Sequence, residues 1–140
     1  ELELYDWLPF RRLMDKPYTV TMLGHVRIGA IDSKTPASFS STVIGDLIRK
    51  KWDYRGLLIT DDFSMGAVTR SKEGVGAAAV KALRAGVDFV LVSFNEKHYD
   101  AVMTALLKAD ADGLFDETAR KQSVARIGKA MTSTDIAPGN

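Results

Sequence analysis

The chain has 140 residues, 46% of them hydrophobic, with 19 basic against 18 acidic side chains and a net charge of +1. That supports one domain with a real core, and the near balance of charge leaves no global field to recruit nucleic acid or an anionic membrane. Cysteine is absent, which excludes disulfides, thiolate nucleophiles and cysteine-ligated zinc, and no apolar run approaches the roughly 20 residues of a membrane span. No secretory leader is visible, and a cytoplasmic location is the expectation.

From Glu1 to Met14 acids give way to Arg11 and Arg12, with Pro9 interrupting any long helix, so a short, broken helical piece is expected. The breaker pair Lys16-Pro17 precedes a β-branched and aromatic run from Tyr18 to Val26, which predicts a strand ending near Gly24-His25. The segment from Arg27 to Ser41 reads as irregular and on the ligand side of the sheet. Ser40 or Ser41 then caps a helix carrying Val43, Ile44, Leu47 and Ile48, with Arg49, Lys50 and Lys51 at its positive end.

Gly56-Leu57-Leu58-Ile59-Thr60-Asp61-Asp62-Phe63-Ser64-Met65 follows, a buried strand that runs straight into two carboxylates. In parallel α/β sheets ligands bind at the carboxyl ends of strands, so the pair is a site candidate; the rival reading is that one Asp merely caps the next helix. A second helix is expected over about Glu73–Ala85, stopped by Gly86, and a third apolar strand over Val87–Ser93. Helices over about Lys97–Ala109 and Glu117–Met131, the latter capped by Asp116, complete the pattern before a tail rich in small residues, with Pro138 and Gly139. Strand and helix alternate, the signature of a parallel α/β sheet with right-handed crossovers. Three strands would leave two long open edges, so the chain is either a small α/β domain or a portion of a larger barrel.

The chemical inventory is short. His98, beside Glu96 and Lys97 at a helix start, reads as a solvated surface residue, and two histidines on different elements make no metal site. His25 would share the rim of the sheet with Asp61; its rival reading is a histidine satisfied in the core. Gly74 and Gly76 lack the spacing of a dinucleotide fingerprint, and the basic runs lack interleaved aromatic residues, so neither phosphate nor nucleic acid is expected as a ligand. A carboxylate at a strand end can serve as nucleophile, general base or electrostatic partner, and Asp61 with Asp62 could also hold a divalent cation through oxygen. Residue types alone leave these open.

Taken together, Met22-Leu23-Gly24-His25, Pro36-Ala37-Ser38-Phe39-Ser40, Leu47-Ile48-Arg49, the Gly56–Met65 stretch and Ala82-Leu83-Arg84-Ala85-Gly86-Val87-Asp88 resemble the glycoside hydrolase family 3 catalytic domain in order and spacing. The match runs over about residues 1 to 130 and includes the lead-in Asp6-Trp7-Leu8-Pro9-Phe10. The doubled acid before Ser64-Met65 is most similar to the β-N-acetylglucosaminidase branch, whereas β-glucosidases of the family tend to carry Trp after the first Asp.

The resemblance implies a (β/α)8 TIM barrel and a retaining exo-hydrolase acting on terminal β-linked GlcNAc, with peptidoglycan fragments among its sources. The family nucleophile falls on Asp61, at the end of what would be the seventh strand. Met22, His25, Asp62 and Met65 fall on segments expected to line the sugar subsite. Asp62 takes a supporting role, because adjacent strand residues point to opposite faces. No cofactor and no metal are implied.

Such a barrel takes about 250 residues, and the family's Lys-His sugar motif and its loop Asp-His acid/base pair belong upstream of Glu1. The expectation is therefore the C-terminal portion of the barrel, about three βα units over residues 1–131 with a tail from 132. It would be inactive alone and completed by the missing N-terminal part or by another copy. The alternatives are a non-catalytic sugar-binding or assembly half-barrel, a family 3 β-glucosidase, and a small Mg²⁺-dependent α/β domain.

Overall fold

Two short apolar stretches, Val-Thr-Met-Leu and Leu-Leu-Ile-Thr, pair in parallel and carry the rest of the chain on one side. In the computed structural model, which describes residues 1–14, 16, 19–93 and 96–132, these are β1 (Val20–Leu23) and β2 (Leu57–Thr60), with Val20 opposite Leu57 and Met22 opposite Ile59. The remaining elements are α1 (Leu8–Met14), a 3₁₀ turn (Ala37–Phe39), a π-wound helix (Thr42–Lys51), α2 (Gly66–Thr69), α3 (Gly74–Ala85), α4 (Glu96–Ala111) and α5 (Glu117–Thr132). The α/β class expected from the alternation is present, with more helix than strand. Tyr18, Pro17 and residues 133–140, with Pro138 and Gly139 of the expected tail, lie outside the described residues.

The expected third strand is reduced to a single parallel bridge, Ile59 to Phe89. Phe89 N–H donates to the Leu58 carbonyl at 3.1 Å and Thr60 N–H to the Phe89 carbonyl at 3.0 Å, as a parallel ladder requires. The next rung would send Leu91 N–H to the Thr60 carbonyl and Asp62 N–H to the Leu91 carbonyl. Instead Leu91 N–H goes to the Thr60 hydroxyl at 3.0 Å, and Asp62 N–H turns back to Asp61 Oδ1 at 2.8 Å. Phe63 N–H reaches the Leu91 carbonyl one residue late, at 2.9 Å. Two side chains thus capture the ladder where the acidic pair begins.

The helices behave much as their sequences predict. Gly86 stands at φ 109° after α3, and Asp116 Oδ1 accepts the Ala119 N–H at 2.7 Å at the start of α5. The helix over Thr42–Lys51 differs in its winding: the Trp52 N–H reaches back five residues to the Leu47 carbonyl at 2.9 Å. Its start is capped by Ser40, whose hydroxyl accepts the Val43 N–H at 3.2 Å, rather than by Ser41. Gly76 permits helix packing: a Cβ there would meet the Ala101 carbonyl at 2.8 Å and the Ala105 methyl at 2.7 Å, so a larger residue would push α4 off α3.

The core lies between the sheet and these helices. Val43, Ile44 and Ile48 from the π-wound helix meet Ala78, Ala79 and Ala82 of α3 over Leu58, Phe63 and Val87. Phe63, Ile44 and Leu58 are fully buried, each burial stabilising by about 1.5–3 kcal/mol. The opposite face of the sheet is partly open: Val20 and Met22 are each 53% exposed and Phe89 is 39% exposed, while Leu57 is buried.

Candidate active site

The alternation of β2 decides how the acidic pair is presented. Leu58 and Thr60 point into the core, Ile59 points to the open face with Met22 and Phe89, and Asp61 is two residues further along that same face. Its backbone continues the pairing with the first strand, Asp61 N–H donating to the Leu23 carbonyl at 2.9 Å. The half-buried Asp61 carboxylate accepts its neighbour's N–H on Oδ1; among the described residues Oδ2 has no hydrogen-bond partner.

Asp62 is arranged in the opposite way. Its Oδ1 accepts the Ser64 N–H at 2.9 Å and the Ser93 N–H at 3.0 Å, and its Oδ2 accepts the Ser93 hydroxyl. The Ser64 hydroxyl in turn donates to the Ser93 carbonyl. Partial burial works against ionisation of Asp62, but the donors from Ser93 and Ser64 outweigh it and hold the carboxyl below its ordinary range. The capping alternative is not realised: α2 starts after Met65 with no side-chain cap, and Asp62 instead builds an Asx-type turn with Ser64.

The Asp62 main-chain carbonyl accepts the Met65 N–H at 3.1 Å and lies 3.1 Å from His25 Nε2. The other ring nitrogen of His25 lies 2.7 Å from the hydroxyl of the fully buried Ser38. His25 therefore stands on the rim beside the acidic pair, with both nitrogens engaged by protein atoms. Met22 is exposed on the sheet face, and Met65, 45% exposed, precedes α2 just beyond the turn.

The loop expected to be irregular is tied down by a residue that sequence reasoning passed over. Asp32 Oδ1 accepts the N–H groups of Lys34 and Thr35 at 3.0 and 2.9 Å, and its Oδ2 accepts the Ser40 hydroxyl at 2.7 Å. The Ser40 bond first, then the two backbone bonds, lower the Asp32 pKa to about 2. Ser38, Ser64 and Ser93 were also missed as positioning groups; a lone serine carries no pattern, although Ser38 and Ser64 lie within the motif blocks. His98, expected in solvent, is half-buried, with Nδ1 3.5 Å from the Ser64 hydroxyl. Among the described residues no cluster of three metal-ligating side chains forms, and no helix is long and apolar enough to cross a membrane.

This geometry can be set beside known proteins. A β-hexosaminidase of Nitrosomonas eutropha is 35% identical over 106 residues, covering 76% of this chain and 30% of that protein. A family 3 β-N-acetylglucosaminidase structure from Paenibacillus sp. FPU-7 superposes with a TM-score of 0.84 at 34% identity, covering 94% of this chain and 25% of its own. The β-N-acetylglucosaminidase structure from Thermotoga maritima gives 0.83 at 29% identity, over 94% of this chain and 29% of its own. The chain thus spans between a quarter and a third of the length of these relatives. The family description "Glycosyl hydrolase family 3 N terminal domain" matches residues 1–130, and the chain belongs to that family.

Proposed function

We propose that this chain is the nucleophile-bearing part of a retaining exo-β-N-acetylglucosaminidase that removes terminal β-linked GlcNAc, peptidoglycan fragments being one source. The observation that carries the reading is Asp61: a carboxylate at the carboxyl end of β2, held by one oxygen and with the other unpartnered among the described residues. Held in this way, it could attack an anomeric carbon; the glycosyl-enzyme so formed is then hydrolysed by water with an acid/base from elsewhere. The β-hexosaminidase and β-N-acetylglucosaminidase relatives support the sugar.

In this reading residues 1–131 are about three βα units from the C-terminal portion of a (β/α)8 barrel. Met22 and Met65 give the sugar apolar contact, Asp62 shapes the turn, and His25 stands on the rim beside them with both ring nitrogens on protein atoms. The acid/base comes from the remainder of the barrel, so the 140 residues alone are inactive. Incubating the complete enzyme with a slow fluorinated N-acetylglucosaminyl donor and mapping the label by mass spectrometry tests this. A label on Asp61 is expected, and a label on any other residue overturns the assignment.

The exposed Val20, Met22 and Phe89 on the open face favour a second reading, an assembly half-barrel that binds sugar without cleaving it. Calorimetry with GlcNAc on the chain as it stands, beside a turnover assay of the completed barrel, separates the two: binding without turnover in either form favours the second.

A further inference from the structure

His25 lies two residues beyond β1, with its ring between two aromatic neighbours. Its centroid is 5.4 Å from that of the fully buried Phe63 and 6.4 Å from that of Phe39. Packing of this kind fixes the ring plane, and the hydrogen bonds fix the rest. A carbonyl only accepts, so the nitrogen facing the Asp62 carbonyl, Nε2, must carry the hydrogen. In the neutral ring Nδ1 is then an acceptor, and the Ser38 hydroxyl donates to it. Because Ser38 is fully buried in the turn ahead of the π-wound helix, the tautomer is set from the core and not from the open face.

Most of the polar groups of the Asp61–Asp62 segment are held by protein atoms. Asp61 N–H is on the Leu23 carbonyl, Asp62 N–H is on Asp61 Oδ1, and the Asp62 carboxylate is on Ser64 and Ser93. The Asp62 carbonyl takes Met65 N–H and His25 Nε2–H. Among the described residues Asp61 Oδ2 has no hydrogen-bond partner. For a sugar hydroxyl to bind either nitrogen of His25, one of these internal bonds would have to break and leave its partner unsatisfied.

We infer that His25 is a positioning residue for Asp61: resting on the glycosidase reading above, it pins the Asp61–Asp62 peptide through the Asp62 carbonyl and so aims the unpartnered carboxylate oxygen. It acts on the reacting atoms through the backbone. A nucleophile displaced by about 1 Å can lose about 100-fold in rate, so loss of the pin should appear in turnover and leave sugar affinity nearly unchanged.

The test uses the full-length protein that carries this chain, with 4-nitrophenyl N-acetyl-β-glucosaminide as substrate. In His25→Gln the amide nitrogen can occupy the place of Nε2 and still donate to the Asp62 carbonyl. In His25→Asn the amide reaches only the place of Nδ1. The expected result is a kcat lowered by about 10- to 100-fold in His25→Asn with KM within about twofold, and recovery of most of the loss in His25→Gln. A raised KM with unchanged kcat, or equal losses in both variants, overturns the inference. Nitrogen-15 NMR of the histidine-labelled, unsubstituted protein gives a readout independent of turnover and of variant folding. The Nε2–H tautomer is expected, with a shift toward a tautomer mixture in Ser38→Ala; an Nδ1–H tautomer overturns the role of His25 alone. Failure of the unsubstituted protein to hydrolyse any glycoside would instead overturn the glycosidase reading, so the two failures are distinct.

Discussion

The two ends of β2 each carry a carboxylate cluster, and the clusters are built to opposite ends. At the amino end Asp88, its side chain wholly buried, meets Arg49 at 2.8 Å and Arg126 at 2.8 Å. It also accepts the Ser123 hydroxyl at 2.6 Å and the Leu58 N–H at 2.9 Å. Arg49 goes on to the carbonyls of Tyr54 at 3.0 Å, Gly56 at 2.7 Å and Gly86 at 3.1 Å, so one guanidinium ties the strand to the loops on either side. Burial pulls the pKa of Arg49 down, while Asp88 beside it acts to keep the charge. At the carboxyl end Asp62 is saturated in a similar way, yet Asp61 keeps an oxygen without a partner among the described residues. A carboxylate with every acceptor site filled by protein serves the fold; one with an oxygen left over is available for chemistry.

The sharpest way to break this comparison is to neutralise one acid at each end. Asp61→Asn should lower turnover of the complete enzyme by about 10⁴-fold or more while moving stability by less than about 1 kcal/mol. Asp88→Asn should do the reverse. It leaves the half-buried Arg49 and Arg126 without their buried counter-charge and should cost about 3–5 kcal/mol in urea denaturation, with kcat of the folded fraction preserved. A stability loss at Asp61 as large as that at Asp88 would end the distinction.

A smaller effect is expected at Ser93, which holds Asp62 through both its N–H and its hydroxyl. Ser93→Ala keeps the backbone bond and removes the other, so kcat should fall by about tenfold with little change in KM. Activity equal to that of the unsubstituted protein would mean that the turn holds without its hydroxyl.

The mildest test is pH. Asp32 has its pKa lowered from 3.8 to about 2 by Ser40 and the backbone of Thr35 and Lys34. A depressed carboxyl stabilises the folded form above its unfolded pKa, and that contribution is lost as pH falls from about 4 toward 2. Hydrogen exchange of the Lys34 and Thr35 amides should therefore rise over that window, and Asp32→Asn should remove the step.

Legibility differed along the chain for physical reasons. Gly86, Asp116 and the apolar periodicity of α3 were readable because caps and helical spacing are local, set within one or two turns of chain. The acidic pair was readable as a site candidate because charge does not belong inside a strand. Its division of labour was only half readable: alternation predicts opposite faces, but the saturation of Asp62 depends on Ser93, which lies 31 residues away. The third strand was misjudged because its apolar residues match a strand while its ladder is captured by the Thr60 hydroxyl and the Asp61 carboxylate, an outcome of register. Ser40 was one of two candidates for the helix cap; the partner that fixes it, Asp32, sits in a loop with no periodic signal.

The sequence by itself determined which segments could be strand or helix, where the helices stop, and that two acids end the central strand, since each of these depends on neighbours in the chain. Tertiary structure alone decided that, among the described residues, Asp61 keeps an unpartnered oxygen while Asp62 and Asp88 do not. It also decided that His25 turns Nε2 to a backbone carbonyl. Hydrogen-bond saturation is a property of groups brought together from distant positions, and only the folded chain brings Ser38, Ser93 and Arg126 to their acids and to the ring between Phe39 and Phe63.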